Sequence, residues 1–291
     1  MVRRAKILIY LLAAFFVSLE TQAKNPPPGT GTSDIPANIL IMLDNSGSMR
    51  AALSSANSLH YPEDVAVDSN GNIYILESSY RRIKKFDSDL NYIKSFGGSG
   101  TGCNKWSYAY EIDIYDDKLY IHDAIQSTWS NIRQVKELTL DGQCTGKNFA
   151  YAPKFGGRTG FTTGITASQD YVFVTVNKWG YMGVTVYNRH SGGYIGFYSQ
   201  GNFGNNNYFY QNQGMDVNDA GTKLLVTSWG SVTEFNIGSG GSLTFNCRAT
   251  DSSYSTWGTT QRYAKDAIYG SGTTIFSASW NYGRVNKYSD L

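Results

Sequence analysis

Residues 61–97 read YPEDVAVDSNGNIYILESSYRRIKKFDSDLNYIKSFG and divide into four short strands. Apolar and β-branched residues concentrate in Asp64–Val67, Ile73–Glu77, Ile83–Phe86 and Tyr92–Phe96, and turn-forming clusters stand at Ser69-Asn70-Gly71 and Asp87-Ser88-Asp89. The same order of elements returns in YEIDIYDDKLYIHDA with QVKELTLDGQCTGKNF, and again in TGITASQDYVFVTVNKWGYMGVTVYNRHSGGYIGFY. Two further units follow, GMDVNDAGTKLLVTSWGSVTEFNIGSGGSLTFNC and DAIYGSGTTIFSASWNYGRVNKYSDL, the second ending after its third strand. Asp64, Glu111, Gly164, Gly214 and Asp266 hold corresponding places at intervals of about 50 residues, the period of a four-stranded propeller blade. The chain is therefore expected to be all-β, a β-propeller with five visible blades and an incomplete last one. Such blades bury their faces only against one another, so the ring must close or leave an apolar flank and unpaired edges.

The first unit is similar to the NHL repeat family. Pro62 precedes an apolar strand that contains Val65 and ends at Asp68; Gly71-Asn72, Ile73-Tyr74, Arg82-Ile83 and Phe86-Asp87 then follow that family's order. The resemblance implies an NHL-type propeller over residues 59–291. Two endings are open. Asn38–Leu43 supplies the missing fourth strand and closes a five-bladed ring, or the sequence is a fragment whose sixth blade lies beyond Leu291. Outer strands usually alternate, whereas Ile39–Leu43 is apolar throughout, which favours the fragment.

Composition narrows the function classes. At 291 residues and 41% apolar content the chain can bury a sizeable core, and a net charge of +2 without a basic block lacks the footprint of a nucleic-acid binder. Arg3, Arg4 and Lys6 precede an apolar run from Ile7 to Leu19, with Thr21 and Ala23 placed for cleavage after Ala23. Residues 1–23 read as a signal peptide, too short in its apolar part to span a bilayer, and the protein is expected in the periplasm, at the cell surface or outside the cell. No later segment is apolar enough to span. An oxidising destination makes a disulfide the natural use of Cys103, Cys144 and Cys247. Cys103 with Cys144 is the preferred pair, since both fall near the junction and outer edge of neighbouring units.

Residues 24–37 form a Pro-, Gly- and Ser/Thr-rich linker. Residues 38–58 then open with the apolar strand Ile39–Leu43 and a polar turn holding Asp44, Ser46 and Ser48 in D-x-S-x-S spacing. This stretch resembles the metal-ion-dependent adhesion site of von Willebrand factor A domains, as found in pilus-tip adhesins. The resemblance implies Mg²⁺ held by one carboxylate and two hydroxyls. That family's later Thr and Asp ligands have no counterpart before the repeats begin, so the three residues make a partial site.

Propeller enzymes work at the channel mouth, where the innermost strands start. Asp64, Glu111 and Asp266 occupy that position and form a candidate Ca²⁺ site; the alternative is that they satisfy backbone N–H groups. His60, His122 and His190 share no ligand spacing and are expected at surfaces or interfaces. Trp106, Tyr108, Tyr110, Trp129, Trp179, Tyr181, Trp229, Trp257, Trp280 and Tyr282 fall mainly at turns and strand ends. Rings there suit stacking on sugars, anchoring a protein, or packing between blades. The expected function is an exported, non-enzymatic binding or adhesion protein with a protein or glycan partner. The alternative is a cation-dependent propeller lyase or hydrolase, for which neither a paired Ser and His nor a metal-binding His set is visible.

Overall fold

The computed structural model describes residues 58–123, 135–151, 164–176, 182–203, 209, 214–228, 231–250, 264–270, 274–279 and 284–288; for residues 200, 250, 264–266, 276–279 and 284–288 it describes the backbone alone. Residues 1–23, expected as a signal peptide, residues 24–37, expected as a linker, and the segment with Asp44, Ser46 and Ser48 lie outside the described residues.

Blade one is the antiparallel sheet of β1 (Pro62–Val67), β2 (Ile73–Glu77), β3 (Arg82–Phe86) and β4 (Tyr92–Gly97), paired in chain order. Blade two contains β5 (Ala109–Tyr115), β6 (Lys118–Asp123) and β7 (Val135–Thr139), and Cys144 bridges Leu138 where an outer strand would run. Blade three is β8 (Ile165–Ala167), β9 (Tyr171–Val176), β10 (Gly183–Asn188) and β11 (Tyr194–Ser199). Blade four is β12 (Met215–Val217), β13 (Lys223–Ser228), β14 (Ser231–Ile237) and β15 (Leu243–Thr250). Blade five has β16 (Ala264–Tyr269), β17 (Ile275–Ser279) and β18 (Arg284–Tyr288). Among the described residues the only helical elements are the 3₁₀ turns Gln200–Phe203 and Ser239–Gly241.

The hairpins are set by side-chain acceptors. In Asp68-Ser69-Asn70-Gly71-Asn72 the Asp68 carboxylate accepts the amides of Asn70 and Asn72, both at 2.9 Å, and the Asn72 side-chain N–H at 2.9 Å. Asp87 treats Asp89 and Asn91 in the same way at 3.0 and 2.8 Å. This is the Asx device, which gives the chain a turn without a ladder partner. Burial of Asp68 opposes its ionisation, but the bonds from Asn72, Tyr74 and Asn70 together outweigh it and hold the carboxyl below the usual range.

Strand alternation sends each blade's apolar residues to two different neighbours. Tyr74, Leu76 and Ile83 of blade one pack with Ile112, Leu119 and Ile121 of blade two. Between blades two and three, Phe149 stands edge-on to Tyr120 and Tyr187, with ring centroids 6.4 and 6.0 Å away. Phe209 stacks on Phe235 at 5.2 Å between blades three and four, and Leu225, Val232, Ala267 and Ile275 join four to five. Each such buried Leu, Ile, Val or Phe side chain contributes about 1.5–3 kcal/mol. The innermost strands follow one another as β1, β5, β8, β12, β16, the arrangement of a β-propeller; among the described residues no contact of similar extent joins β16 to β1.

The connection from blade one to blade two is held especially firmly. Trp106 is fully buried there against Gly97, whose φ of 111° and lack of a side chain both matter: a Cβ would meet the Trp106 ring at 2.4 Å. Lys136 donates to Gly102 O at 3.0 Å and to Lys105 O. The disulfide Cys103–Cys144 spans 41 residues and ties this connection to the outer edge of blade two, as the positions in the repeat suggested. Cys247 is free, and burial beside Glu234 pushes its thiol up and makes it a poor nucleophile.

Closing a loop of that length is worth up to about 4 kcal/mol. We expect Cys103→Ser and Cys144→Ser each to lower the unfolding free energy by about 2–4 kcal/mol in urea titrations, with Cys247→Ser within about 0.5 kcal/mol of wild type. Equal effects at all three positions would contradict the pairing.

Candidate functional site

Strand register fixes which inner-strand residues are equivalent. Val65, Ile112, Ile165, Met215 and Ala267 pair with Ile75, Ile121, Val174, Val226 and Ser277. The residues just before them are Asp64, Glu111, Gly164, Gly214 and Asp266, the same set that the repeat period aligns.

An innermost strand has a ladder partner on one side only, so its other amides need acceptors from elsewhere. Asp64 Oδ2 accepts the amide of Ile112 at 2.7 Å, and Glu111 Oε2 accepts that of Ile165 at 2.8 Å. Each carboxylate thus reaches from its own blade to the next. Two positions further on, Asp113 and Asp216 repeat the arrangement with both oxygens. Their Oδ1 atoms accept from Ile114 (2.7 Å) and Val217 (2.9 Å) of their own strands. Their Oδ2 atoms accept from Ala167 and Tyr269 of the following blade, both at 2.7 Å. Thr166 Oγ1 also donates to Asp113, at 3.2 Å. Desolvation holds the Asp113 carboxyl above the ordinary range despite these bonds. Where glycine replaces the first carboxylate, the glycine's own amide is held within its blade by a threonine of the second strand: Thr175 Oγ1 accepts from Gly164 at 2.7 Å and Thr227 Oγ1 from Gly214 at 2.8 Å.

The structure therefore shows Asp64 and Glu111 as acceptors between blades. The side chain of Asp266 lies outside the described residues, and among those described no three Asp, Glu, His or Cys side chains gather as metal ligands. Asp113 and Asp216 were absent from the candidate set, although IDI and MDV align in the repeat and could have revealed them.

A second pair of acids organises the segments that lead into the innermost strands. Glu77, the last residue of β2, accepts the amide of His60 at 2.6 Å and pairs with Arg82 at 2.5 Å. Asp123, the last residue of β6, accepts the amides of Ser107 (2.9 Å) and Tyr108 (3.2 Å) and pairs with Lys136 at 3.1 Å. Both acids are completely buried. The first residues of β1 and β5 each contain a register shift, between Pro62 and Asp64 and between Ala109 and Ile112. A bulge at such a place re-aims the chain.

Exposed rings stand on these anchored segments and in the β2–β3 turn. Tyr61 is 57% exposed, Tyr80 53% and Tyr108 47%, with Tyr110 beside them. Arg81 donates Nε–H to Ser107 O at 2.7 Å and lies 5.6 Å over the Tyr108 ring, while Arg82 lies 4.7 Å over Tyr80. His60 meets the Tyr80 edge at 5.0 Å. Tyr61 and Arg81 both adopt left-handed backbone, with φ of 50° and 52°, and Ser78 is bonded to both: its amide donates to Tyr61 O at 3.2 Å and its carbonyl accepts from Arg81 at 3.1 Å. Of the other aromatics singled out in the sequence, Trp106 is core, and Trp129, Trp179, Tyr181, Trp229, Trp257, Trp280 and Tyr282 lie outside the described residues.

The histidines are dispersed. His122 is buried in β6, where burial depresses its pKa to about 3 and keeps it neutral at physiological pH; His190 lies in the β10–β11 turn, 3.3 Å from Asp170.

Removing an interblade carboxylate leaves an edge amide without its charged acceptor, a loss of about 1.5–3 kcal/mol. We expect Asp64→Ala and Asp113→Ala each to reduce stability by about that amount in urea titrations, and Asp219→Ala, in an exposed turn, to cost less than about 0.5 kcal/mol. Indistinguishable effects at the three positions would show that the carboxylates do not join the blades.

No protein-family model matches the chain, and a comparison with curated proteins finds no match. Solved structures do share its fold. A chain of a nidogen/laminin complex is 10% identical, with a TM-score of 0.51 over 78% of this chain and 74% of its own. A catalytically inactive virginiamycin B lyase from Staphylococcus aureus, solved with quinupristin, is 12% identical, with a TM-score of 0.50 over 82% of this chain and 72% of its own. At these identities the likeness is one of fold: the chain is an all-β propeller.

Proposed function

We propose that this protein is an exported, non-enzymatic binding protein whose propeller, of the NHL type, presents an aromatic edge of blades one and two to a protein or glycan partner. The observation that carries the reading is the group of exposed rings at Tyr61, Tyr80 and Tyr108, seated on the buried acids Glu77 and Asp123. Rings that contribute little to the core, on a backbone already fixed, suit binding because little conformational freedom is lost when a partner arrives. Export is supported by the amino-terminal basic and apolar segment and by the Cys103–Cys144 disulfide, a bond of oxidising compartments.

Two ion sites belong to the same proposal. Asp44, Ser46 and Ser48 form a partial Mg²⁺ loop of the von Willebrand factor A kind, and Asp64, Glu111 and Asp266 a Ca²⁺ site at the channel mouth. For the latter, millimolar Ca²⁺ is expected to raise the melting temperature modestly, and the Asp64→Asn, Asp266→Asn double variant to lose that rise. Identical curves with calcium and with chelator would leave these acids as hydrogen-bonding groups alone.

The binding reading is tested by immobilising the exported chain, measuring association with extracellular proteins and polysaccharides, and recovering each bound partner for mass analysis. Saturable binding with the partner returned unchanged is the expected result. A chelator-sensitive chemical change in the partner, abolished by Glu111→Gln, would overturn it in favour of a lyase or hydrolase.

A further inference from the structure

An exposed tyrosine ahead of the inner strand stands at the same place in blades one and two. Tyr61 and Tyr108 each stand three residues before the first inner-strand carboxylate, in Tyr61-Pro-Glu-Asp64 and Tyr108-Ala-Tyr-Glu111. In sequence, Tyr263-Ala-Lys-Asp266 has the same form. Nothing in the packing calls for an aromatic ring there, since both described tyrosines are about half exposed while their neighbours Ala109 and Trp106 are buried. The segments carrying them are fixed through equivalent backbone amides, His60 by Glu77 and Ser107 by Asp123. Blades one and two thus each hold an exposed ring next to a backbone amide fixed by a buried acid.

Charge distinguishes which partner suits this edge. Arg82 is neutralised by Glu77 at 2.5 Å. Arg81 instead donates to neutral acceptors, Ser107 O at 2.7 Å and Ser99 Oγ at 3.4 Å, and stacks on Tyr108. Among the described residues, its guanidinium therefore carries a charge balanced by no carboxylate in contact with it, next to an exposed ring. Of the acids around this edge, Asp123 and Glu77 are buried and paired with Lys136 and Arg82, and Glu63 accepts from Ser78 Oγ at 3.1 Å near Tyr61.

A pyranose ring presents a face of C–H groups that stacks on an aromatic ring, and a uronic acid adds a carboxylate that a guanidinium fork binds with two parallel hydrogen bonds. We propose that the edge formed by Tyr61, Tyr108 and Arg81 is a subsite for carboxylated sugar units of an acidic polysaccharide. Tyr108 supplies the stacking surface, Arg81 receives the carboxylate, and Tyr61 takes the adjoining unit. An extended polymer of repeated units matches the two rings that blades one and two present at equivalent places. This inference rests on the binding reading and goes beyond it by naming the partner's chemistry.

Titration of the full exported chain with polygalacturonate, dextran and poly-glutamate tests it. We expect saturable polygalacturonate binding that weakens with salt, at least tenfold loss in Arg81→Ala and Tyr108→Ala, several-fold loss in Arg81→Lys, and no change in Tyr194→Ala. Glu63→Gln should tighten binding by removing a like charge. Tyr108→Ala and Arg81→Lys keep the assay decisive if Arg81→Ala does not fold. Equal affinity for dextran, or binding of poly-glutamate that is indifferent to Tyr108, would overturn the sugar assignment. Silence toward polygalacturonate from a chain that binds a protein partner would also overturn it, while leaving the binding reading intact.

Discussion

An innermost propeller strand is hydrogen-bonded along one edge and bare along the other, and here carboxylates from the preceding blade occupy the bare edge. Asp64, Glu111, Asp113 and Asp216 each accept an amide across a blade junction at 2.7 or 2.8 Å. Apolar packing between blades is non-directional and tolerates sliding, whereas a carboxylate on one particular amide sets the register of one blade against the next. Stacking of this kind uses acids where a channel wall would otherwise hold unpaired N–H groups. It also explains why acidic residues recur at the starts of inner strands whether or not an ion sits among them.

The same logic applies at the outer end of the second strands. Glu77 and Asp123 are buried and paired with Arg82 and Lys136, so each acid has a compensating cation as well as backbone donors. A buried pair of this sort contributes little net stability compared with apolar packing but fixes geometry. What it fixes here is the pair of segments that carry Tyr61 and Tyr108. Fold and candidate site are thus coupled through the same few acids, which hold the backbone beside the exposed rings Tyr61 and Tyr108.

Much of the architecture was legible in the sequence because its causes are local. Turn clusters such as Ser69-Asn70-Gly71 bound the strands of blade one, and observed strands begin or end within two residues of expectation. The equivalence of Asp64 and Glu111 followed from the period. Their task did not, because the amides they bind lie 48 and 54 residues away and only the stacking of blades brings them near. Glu77 and Asp123 escaped notice for a related reason: an acid ending an apolar strand reads as a half-exposed residue until its cation partner is placed. Tyr61 escaped because an aromatic near a strand reads equally as core.

The central claim is that inner-strand amides are secured by the preceding blade, and amide hydrogen exchange at Ala167 and Tyr269 tests it most directly. Both amides should exchange slowly in the native chain; Asp113→Ala should release the Ala167 amide and leave that of Tyr269 protected, and Asp216→Ala should do the reverse. Fast exchange at both positions in the unmodified protein, or protection unchanged by the substitutions, would contradict the account.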